Sequence, residues 1–278
     1  MKRKLLWSAV ILIFLGFLAW MVWSNVSLEL SHYTVESEDL PSSFDGFRIV
    51  QISDLHNEEL GKDHRRLLAR VKEAKPDIIV LTGDLIDSRK TDVETALKFV
   101  DAAVKIAPVY YITGNHEQRV PTALILLEQG LSKAGVHILR NETVFLERDG
   151  ERLCLAGVDD PHFFDSMDSY FNALPALCDW EEYTVLLAHR PEYFDYYEKA
   201  GADLSLAGHI HGGQIRIPFK GGLIAPYQSF FPEYDNGLYE KGDSTLVVSR
   251  GVGNSVFPIR FNNRRHVVLV ELRSTTPS

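Results

Sequence analysis

Between Phe47 and Gly135 the chain repeats one pattern three times, a short β-branched run followed by a longer amphipathic stretch. FRIVQIS precedes HRRLLARVKEA, IIVLT precedes VETALKFVDAAVK, and VYYIT precedes PTALILLEQGLSKAG. This alternation restricts the chain to an α/β fold, because neighbouring parallel strands need a crossover between them, usually a helix. Pro76 and Pro108 close the first two helical stretches, where a helix would lose a hydrogen bond by continuing. The second half differs: TVFLE, RLCLAGV, YTVLLAH, LSLAGHI, QIRIP, TLVVSR and HVVLVEL read as strands, with PEYFDYYEKAG the one clear helix among them. The shift predicts two sheets within one domain.

The strands end in residues that can hold metals. ISDLH gives Asp54 and His56, LTGDLID gives Asp84 and Asp87, and ITGNHE gives Asn115, His116 and Glu117. YTVLLAH ends at His189, and LSLAGHIH at His209 and His211. Ligands of α/β sheets collect beyond the carboxyl ends of strands, so five such ends point at one crevice. Imidazole and carboxylate donors without thiolate suit a pair of borderline divalent ions. Asp54 and His56, like His209 and His211, are two residues apart. In an extended segment this puts both on one face, roughly 6.5–7 Å apart along the chain, a spacing suited to two ions about 3.5–4 Å apart. Asp84, at the central strand end, is the candidate bridge. Any one motif alone is ordinary turn chemistry; their joint order is informative.

With 45% hydrophobic residues, the 278-residue chain can build a sizeable core. Its net charge of -9 opposes general attraction to nucleic acid or anionic lipid. An anionic substrate then needs local positive charge, which bound cations supply. The N-terminus is a separate unit, Lys2, Arg3 and Lys4 followed by the uncharged run Leu5–Trp23. As a helix, this run nearly spans a hydrocarbon core of roughly 30 Å. It exceeds the usual signal-peptide core of about 7–15 residues and lacks a small-x-small cleavage site. Trp20 and Trp23 suit an interfacial belt. The expectation is an uncleaved single-pass anchor in the cell membrane over residues 1–25. The basic flank ahead of it, with Glu29, Glu36, Glu38 and Asp39 behind, predicts a cytoplasmic N-terminus and an extracytoplasmic catalytic domain. Residues 26–45 read as a polar linker and 46–278 as the domain. Cys154 and Cys178 read as two separate, partly buried thiols.

D-x-H, G-D-x-x-D, G-N-H-E, a strand-terminal His and G-H-x-H, running from about Phe47 to Gly213, resemble the calcineurin-like metallophosphoesterase family. The following GGQIRIPFKGGLIAP and LVVSRGVGNSVFPIRF are similar to its bacterial branch of membrane-associated phosphodiesterases, that of YkuE and YaeI. The resemblance implies a four-layer α/β/β/α sandwich of two mixed β-sheets flanked by helices. It implies two divalent ions, for which Mn, Fe and Zn suit the donors alike. Asp54, His56, Asp84 and His211 would hold the first ion, and Asp84, Asn115, His189 and His209 the second. His116 would be the catalytic histidine that binds no metal, with Asp87 and Glu117 orienting ligands or His116. Neutral Asn115 leaves the site cationic.

Outside the motifs, Arg190, Arg250 and Arg260 are candidate phosphate clamps, each with a surface ion pair as the ordinary alternative. Phe163, Phe164, Tyr227, Phe230, Phe231 and Tyr234 form either an apolar rim for a lipid or aromatic leaving group, or core. The expected protein is a membrane-anchored dinuclear phosphoesterase that uses metal-activated water on phosphate esters, foremost phosphodiesters, with lipid-linked or cell-envelope substrates among them. A pyrophosphatase acting on a nucleotide-linked lipid precursor of the UDP-2,3-diacylglucosamine type is the alternative. A non-catalytic interaction module is the remote one, since every ligand position is kept.

Overall fold

In the computed structural model, which describes residues 2–178, 181–225, 230–254 and 259–275, the β-branched runs build two six-stranded mixed sheets. The first has the order β1 (Leu28–Ser37), β14 (Arg265–Ser274), β2 (Arg48–Ile52), β3 (Ile78–Thr82), β4 (Val109–Ile112), β5 (His137–Ile138). The second has the order β12 (Gly237–Lys241), β13 (Ser244–Val248), β9 (Leu204–Ala207), β8 (Thr184–Leu187), β7 (Glu151–Gly157), β6 (Glu142–Arg148). Parallel pairing runs through β2 to β5 and again through β7, β8, β9 and β13. A short hairpin, β10 (Arg216–Ile217) with β11 (Gly221–Gly222), stands apart.

The helices form where apolar residues recur on one face. In α2 (Arg65–Ala74) these are Leu67, Val71 and Ala74, and in α3 (Val93–Ala103) they are Ala96, Phe99, Val100 and Ala103. Asp92 starts α3 by accepting the Thr95 N–H at 3.1 Å. These helices and α5 (Pro121–Ala134) pack on the first sheet, with Leu67, Phe99 and Leu127 against Val50, Leu81 and Val109. Between the sheets, Ile49, Val80 and Ile112 meet Leu155, Val185 and Leu206. Beyond the second sheet, α6 (Met167–Ala173) and α7 (Phe194–Lys199) cover Leu186 and Val248 with Tyr170, Phe194 and Tyr197. The layers are therefore α/β/β/α, as expected. Strand β3 explains the continuous apolar run IIVLT: Ile79 and Leu81 face the helices while Ile78 and Val80 face the other sheet. Cys154 and Cys178 are buried thiols.

Within residues 26–45, read above as a linker, Leu28–Ser37 form an edge strand of the first sheet. Strand β1 pairs in parallel with β14 over ten residues, from Leu28↔Arg265 to Ser37↔Ser274. Its polar composition is that of an edge strand: Leu28 and Leu30 pack on the helix-side core, and Tyr33 and Val35 on the inter-sheet core. Leu40 and Phe44 then anchor the following turn between the sheets. Because β14 is antiparallel to β2, β1 begins at the end of the sheet where β2, β3 and β4 run out. The N-terminal run is one 25-residue helix, α1 (Lys2–Val26), long and apolar enough to cross a membrane and exposed along its apolar length. It therefore joins the domain at that same end.

At the opposite end, Asp39, Glu182, Glu198, Asp203 and Asp243 line a cavity of about 470 Å³. Burial pushes Asp203 up to about 6, despite the Thr184 N–H that it accepts at 2.6 Å. The folded-state value lies above the usual carboxylate range, so folding favours the protonated form and stability falls as pH rises from about 4 through about 6. Asp203→Asn keeps an acceptor for Thr184 and is expected to raise stability at pH 7.5 by about 1 kcal/mol, with little effect near pH 4. Thermal unfolding at the two pH values checks it; an equal shift at both would refute the electrostatic account.

Candidate metal centre

All seven expected ligands are buried at one end of the two sheets. Asp54 and His56 follow β2, Asp84 follows β3, Asn115 opens α4 (Asn115–Gln118) after β4, His189 follows β8, and His209 and His211 follow β9. His56 Nε2 lies 3.1 Å from His211 Nε2, 3.6 Å from Asp84 Oδ2 and 4.0 Å from Asp54 Oδ1. His211 Nε2 is 3.4 Å from Asp54 Oδ1. In a second group, His189 Nε2 lies 3.4 Å from Asp84 Oδ2 and 3.3 Å from His209 Nδ1. Four donors placed about 2.1 Å from a common ion in tetrahedral array would be about 3.4 Å apart. Both groups match that spacing, and Asp84 Oδ2 stands between them.

The orientation of the donors also fits cations. His189 Nδ1 donates to the Thr82 carbonyl at 2.7 Å, which leaves the Nε2 lone pair facing the cluster. Asn115 Oδ1 is buried without a hydrogen-bond partner, an acceptor that ligation would satisfy. Burial pushes Asp54 up to about 6 and His56 down to about 3. Burial also acts to lower His189, but Asp84, Asp54 and Asp160 outweigh it and hold that imidazole up to about 10. The carboxylates thus draw a positive charge to the middle of the cluster.

The expected extended segments are not what delivers these residues. Asp54, His56, Asp84, His209 and His211 all have φ between 46° and 68°, the left-handed region, just past the strand ends. The strands stop at Ile52, Thr82 and Ala207, and the chain must then turn back within a few residues to keep the donors over the crevice. Each such residue costs on the order of 1–3 kcal/mol, tolerated where the surroundings over-determine it. Here they do. A Cβ at Gly208 would come within 1.8 Å of Ser53 Oγ and 2.5 Å of Asp54 Oδ2, and one at Gly114 within 2.3 Å of Asp84 Oδ1. Glu117 ties two loops by accepting the N–H groups of Asp84 (2.9 Å), Gly114 (2.8 Å) and Ile86 (3.1 Å), and burial pushes it up to about 8.

His116 stands beside the first group, its ring 4.5 Å from that of His56 and nearly perpendicular to it. Its Nδ1 accepts the Ser88 N–H at 3.0 Å, so in the neutral ring the proton is on Nε2. His56, Asp87 and His116 also lie close enough to hold an ion. Two of the three are committed elsewhere, however: Asp87 takes Arg89 at 2.5, 2.8 and 3.1 Å, and His116 Nδ1 takes Ser88, while His56 Nδ1 is buried without a partner. Asp87 lies 3.7 Å from His56 Nδ1 and 3.8 Å from His116 Nδ1, beyond a direct hydrogen bond to either. A cavity of about 410 Å³ opens here, lined by His56, Asn57, Glu58, Asp87, Arg89, Lys90 and Asp92.

The three arginines part company. Arg190 lies 3.2 Å from His209 Nε2 and is fixed by Asp160 at 2.7 Å. Arg260 is fully buried, with Nη2 3.4 Å from His211 Nδ1 and Nη1 without a partner; burial pushes it down to about 9. Arg250 instead pairs with Glu29 of β1 at 2.8 Å. Of the aromatics, Phe164 and Tyr234 pack on the outer core, Phe163 lies under Arg140, and Phe230 and Phe231 are exposed. Tyr227 lies outside the described residues. Sequence reading missed Asp160, although VDDP follows β7 as the other polar groups follow their strands. Thr82 and Ser88, which act through backbone groups, left no signal in side-chain type.

The family model of the calcineurin-like phosphoesterases matches residues 47–213. The chain is 31% identical over 257 residues to the uncharacterized metallophosphoesterase YkuE of Bacillus subtilis (strain 168), covering 89% of this chain and 86% of that one. It is 28% identical over 233 residues to the phosphodiesterase YaeI of Escherichia coli (strain K12), covering 81% and 82%. Among solved structures, TT1561 of Thermus thermophilus shares the fold at a TM-score of 0.50 and 14% identity, over 73% of this chain and 88% of that one.

Proposed function

This chain belongs to the calcineurin-like phosphoesterase family of metal-dependent phosphoester hydrolases, and on that premise we propose that it is a membrane-anchored phosphodiesterase. The observation that carries the site assignment is the pooling of seven donors from five strand ends, with Asp84 within 3.6 Å of His56 and 3.4 Å of His189. Asp54, His56, Asp84 and His211 would hold one ion and Asp84, Asn115, His189 and His209 the other. The ions, Mn, Fe or Zn, would neutralise charge on the phosphoryl oxygens and make water a better nucleophile near neutral pH.

The remaining work falls to side chains. His116 presents Nε2–H because Ser88 occupies Nδ1, which suits it to give a proton or hydrogen bond to the leaving oxygen. Glu117 fixes the loops bearing Asp84 and Asn115 to one another. Arg190, beside His209, and Arg260, beside His211, would add positive charge for the ester. The cavity lined by His56, Arg89 and Lys90 would receive one ester arm. Helix α1 would cross the membrane once, with the basic N-terminus cytoplasmic and the domain outside.

The full chain in detergent, loaded with Mn²⁺, is expected to hold about two ions and to hydrolyse bis-p-nitrophenyl phosphate. His211→Ala is expected to lose mainly the first ion and His209→Ala mainly the second, each retaining about one by elemental analysis. A parent protein with fewer than two ions and no chelator-sensitive hydrolysis would overturn the reading. Loss of both ions in both variants would overturn the division of ligands.

A further inference from the structure

We propose that the loop 214–225 with Phe230 and Phe231, together with residues 259–264, seats in the same bilayer as α1, so that the metal cluster meets its substrate, a lipid-borne phosphate ester, at the lipid–water interface. This rests on the readings of α1 as a membrane anchor and of the site as a phosphoesterase.

The first argument is topological. Helix α1 passes directly into β1, whose first residue is level with Arg265 at the sheet end that carries Asp54, Asp84 and Asn115. The membrane helix and the metal cluster therefore share one end of the domain.

The second is a firm joint. The Asn25 amide donates to the Arg260 carbonyl at 2.8 Å and accepts the Arg260 N–H at 2.8 Å, while Arg265 donates to the Asn25 carbonyl at 2.7 Å. Higher on the helix, Phe17 and Trp20 meet the Phe261 ring at 5.8 and 6.0 Å. Phe17 is about 13 Å along the axis from Val26 at about 1.5 Å per residue. Phe261 is thus held beside the uncharged part of α1, at the depth of hydrocarbon or its boundary.

The third is what Phe261 carries with it. Its carbonyl accepts the Arg216 N–H at 3.0 Å and its N–H donates to the Gln214 carbonyl at 3.3 Å, so the β10–β11 hairpin hangs from the same point. The hairpin tip is Phe219, fully exposed, next to exposed Lys220. Ile224, Phe230, Phe231 and Ile259 are exposed beside it, Ile224 bridged to Phe230 and Phe231 bonded to Leu223. Grouped exposed aromatics with a flanking lysine, continuous with a membrane helix, match the chemistry of a bilayer interface. The net charge of -9 does not oppose this seating, because aromatic insertion and not general attraction drives it.

The same loops touch the cluster. Asn263 donates to the His211 carbonyl at 2.7 Å, and Arg260 stands 3.4 Å from the His211 ring with its Nη1 buried and unpartnered. The Arg260 guanidinium thus keeps a donor to spare beside the His211 ring, buried beneath the loops that seat in the lipid.

The test uses the full chain in nanodiscs of phosphatidylcholine and phosphatidylglycerol. Phe219→Cys and, at the opposite end of the domain, Asp243→Cys are each labelled with an environment-sensitive fluorophore. Nitroxide-bearing phosphatidylcholine is expected to quench and blue-shifted emission to mark position 219 alone; equal, water-like emission at both positions would overturn the seating. For the substrate class, the unmodified Mn²⁺-loaded protein is expected to hydrolyse dodecyl p-nitrophenyl phosphate placed in the nanodisc with a higher kcat/KM than soluble bis-p-nitrophenyl phosphate. Equal or lower kcat/KM would overturn the lipid assignment. Hydrolysis of neither ester would instead overturn the phosphoesterase reading, whatever the fluorescence shows.

Discussion

Asp84→Asn is expected to lower phosphodiester hydrolysis by about a thousandfold or more and to bring bound metal from about two ions towards one. Among the described residues, Asp84 Oδ2 is the one carboxylate oxygen within ion-pair distance of both His56 and His189, and Oδ1 accepts the His116 N–H at 2.8 Å. The substitution therefore weakens both groups of donors and their link to the helix that bears Asn115. Asparagine keeps the size and one acceptor, so the fold should survive. Elemental analysis and turnover of bis-p-nitrophenyl phosphate in the same preparation check it. A variant that keeps two ions and near-parental turnover would mean that the two groups do not share Asp84.

His116→Ala is expected to lower kcat by about 10²–10⁴-fold while leaving metal content and KM near parental values. The side chain touches His56 edge to face, but its Nδ1 belongs to Ser88, so its removal strands no donor of either group. The loss should grow as the leaving group becomes a poorer one, from p-nitrophenoxide to an alkoxide, because only the latter needs a proton delivered. A uniform loss across leaving groups would assign His116 to holding charge on the phosphoryl oxygens. Loss of an ion from this variant would instead make His116 a ligand, together with His56 and Asp87.

Much of this was legible in the sequence because it is written in side-chain type. Asp, His and Asn at successive strand ends marked the residues that the fold gathers at one end of the sheets, and the β-branched runs marked the strands that carry them. The local backbone was not legible, since D-x-H and H-x-H do not record whether the chain is extended or left-handed; the positive φ at Asp54, His56, Asp84, His209 and His211 follows from the turns the fold imposes. Strand β1 was hidden because an edge strand tolerates polar residues on much of its surface, and because its partner lies at the far end of the chain. Arg250 could not be told apart from Arg190 and Arg260 by type. Position separates them: Arg190 and Arg260 lie 3.2 and 3.4 Å from His209 and His211, whereas Arg250 reaches Glu29, a residue of that hidden strand.

The pairing of β1 with β14 also fixes an order of events during synthesis. The apolar helix α1 and the strand behind it are made before every other described strand, yet their partner β14 is made after all of them. Until then β1 presents an unsatisfied edge, and the loop to be closed spans most of the chain, which slows closure. The sheet core can assemble around β2, β3 and β4 as they emerge, but the joint between α1 and the domain forms only once β14 has been made. A chain interrupted before Arg265 would carry α1 and β1 without the strand that locks them to the first sheet, at the end of the domain that bears the metal centre.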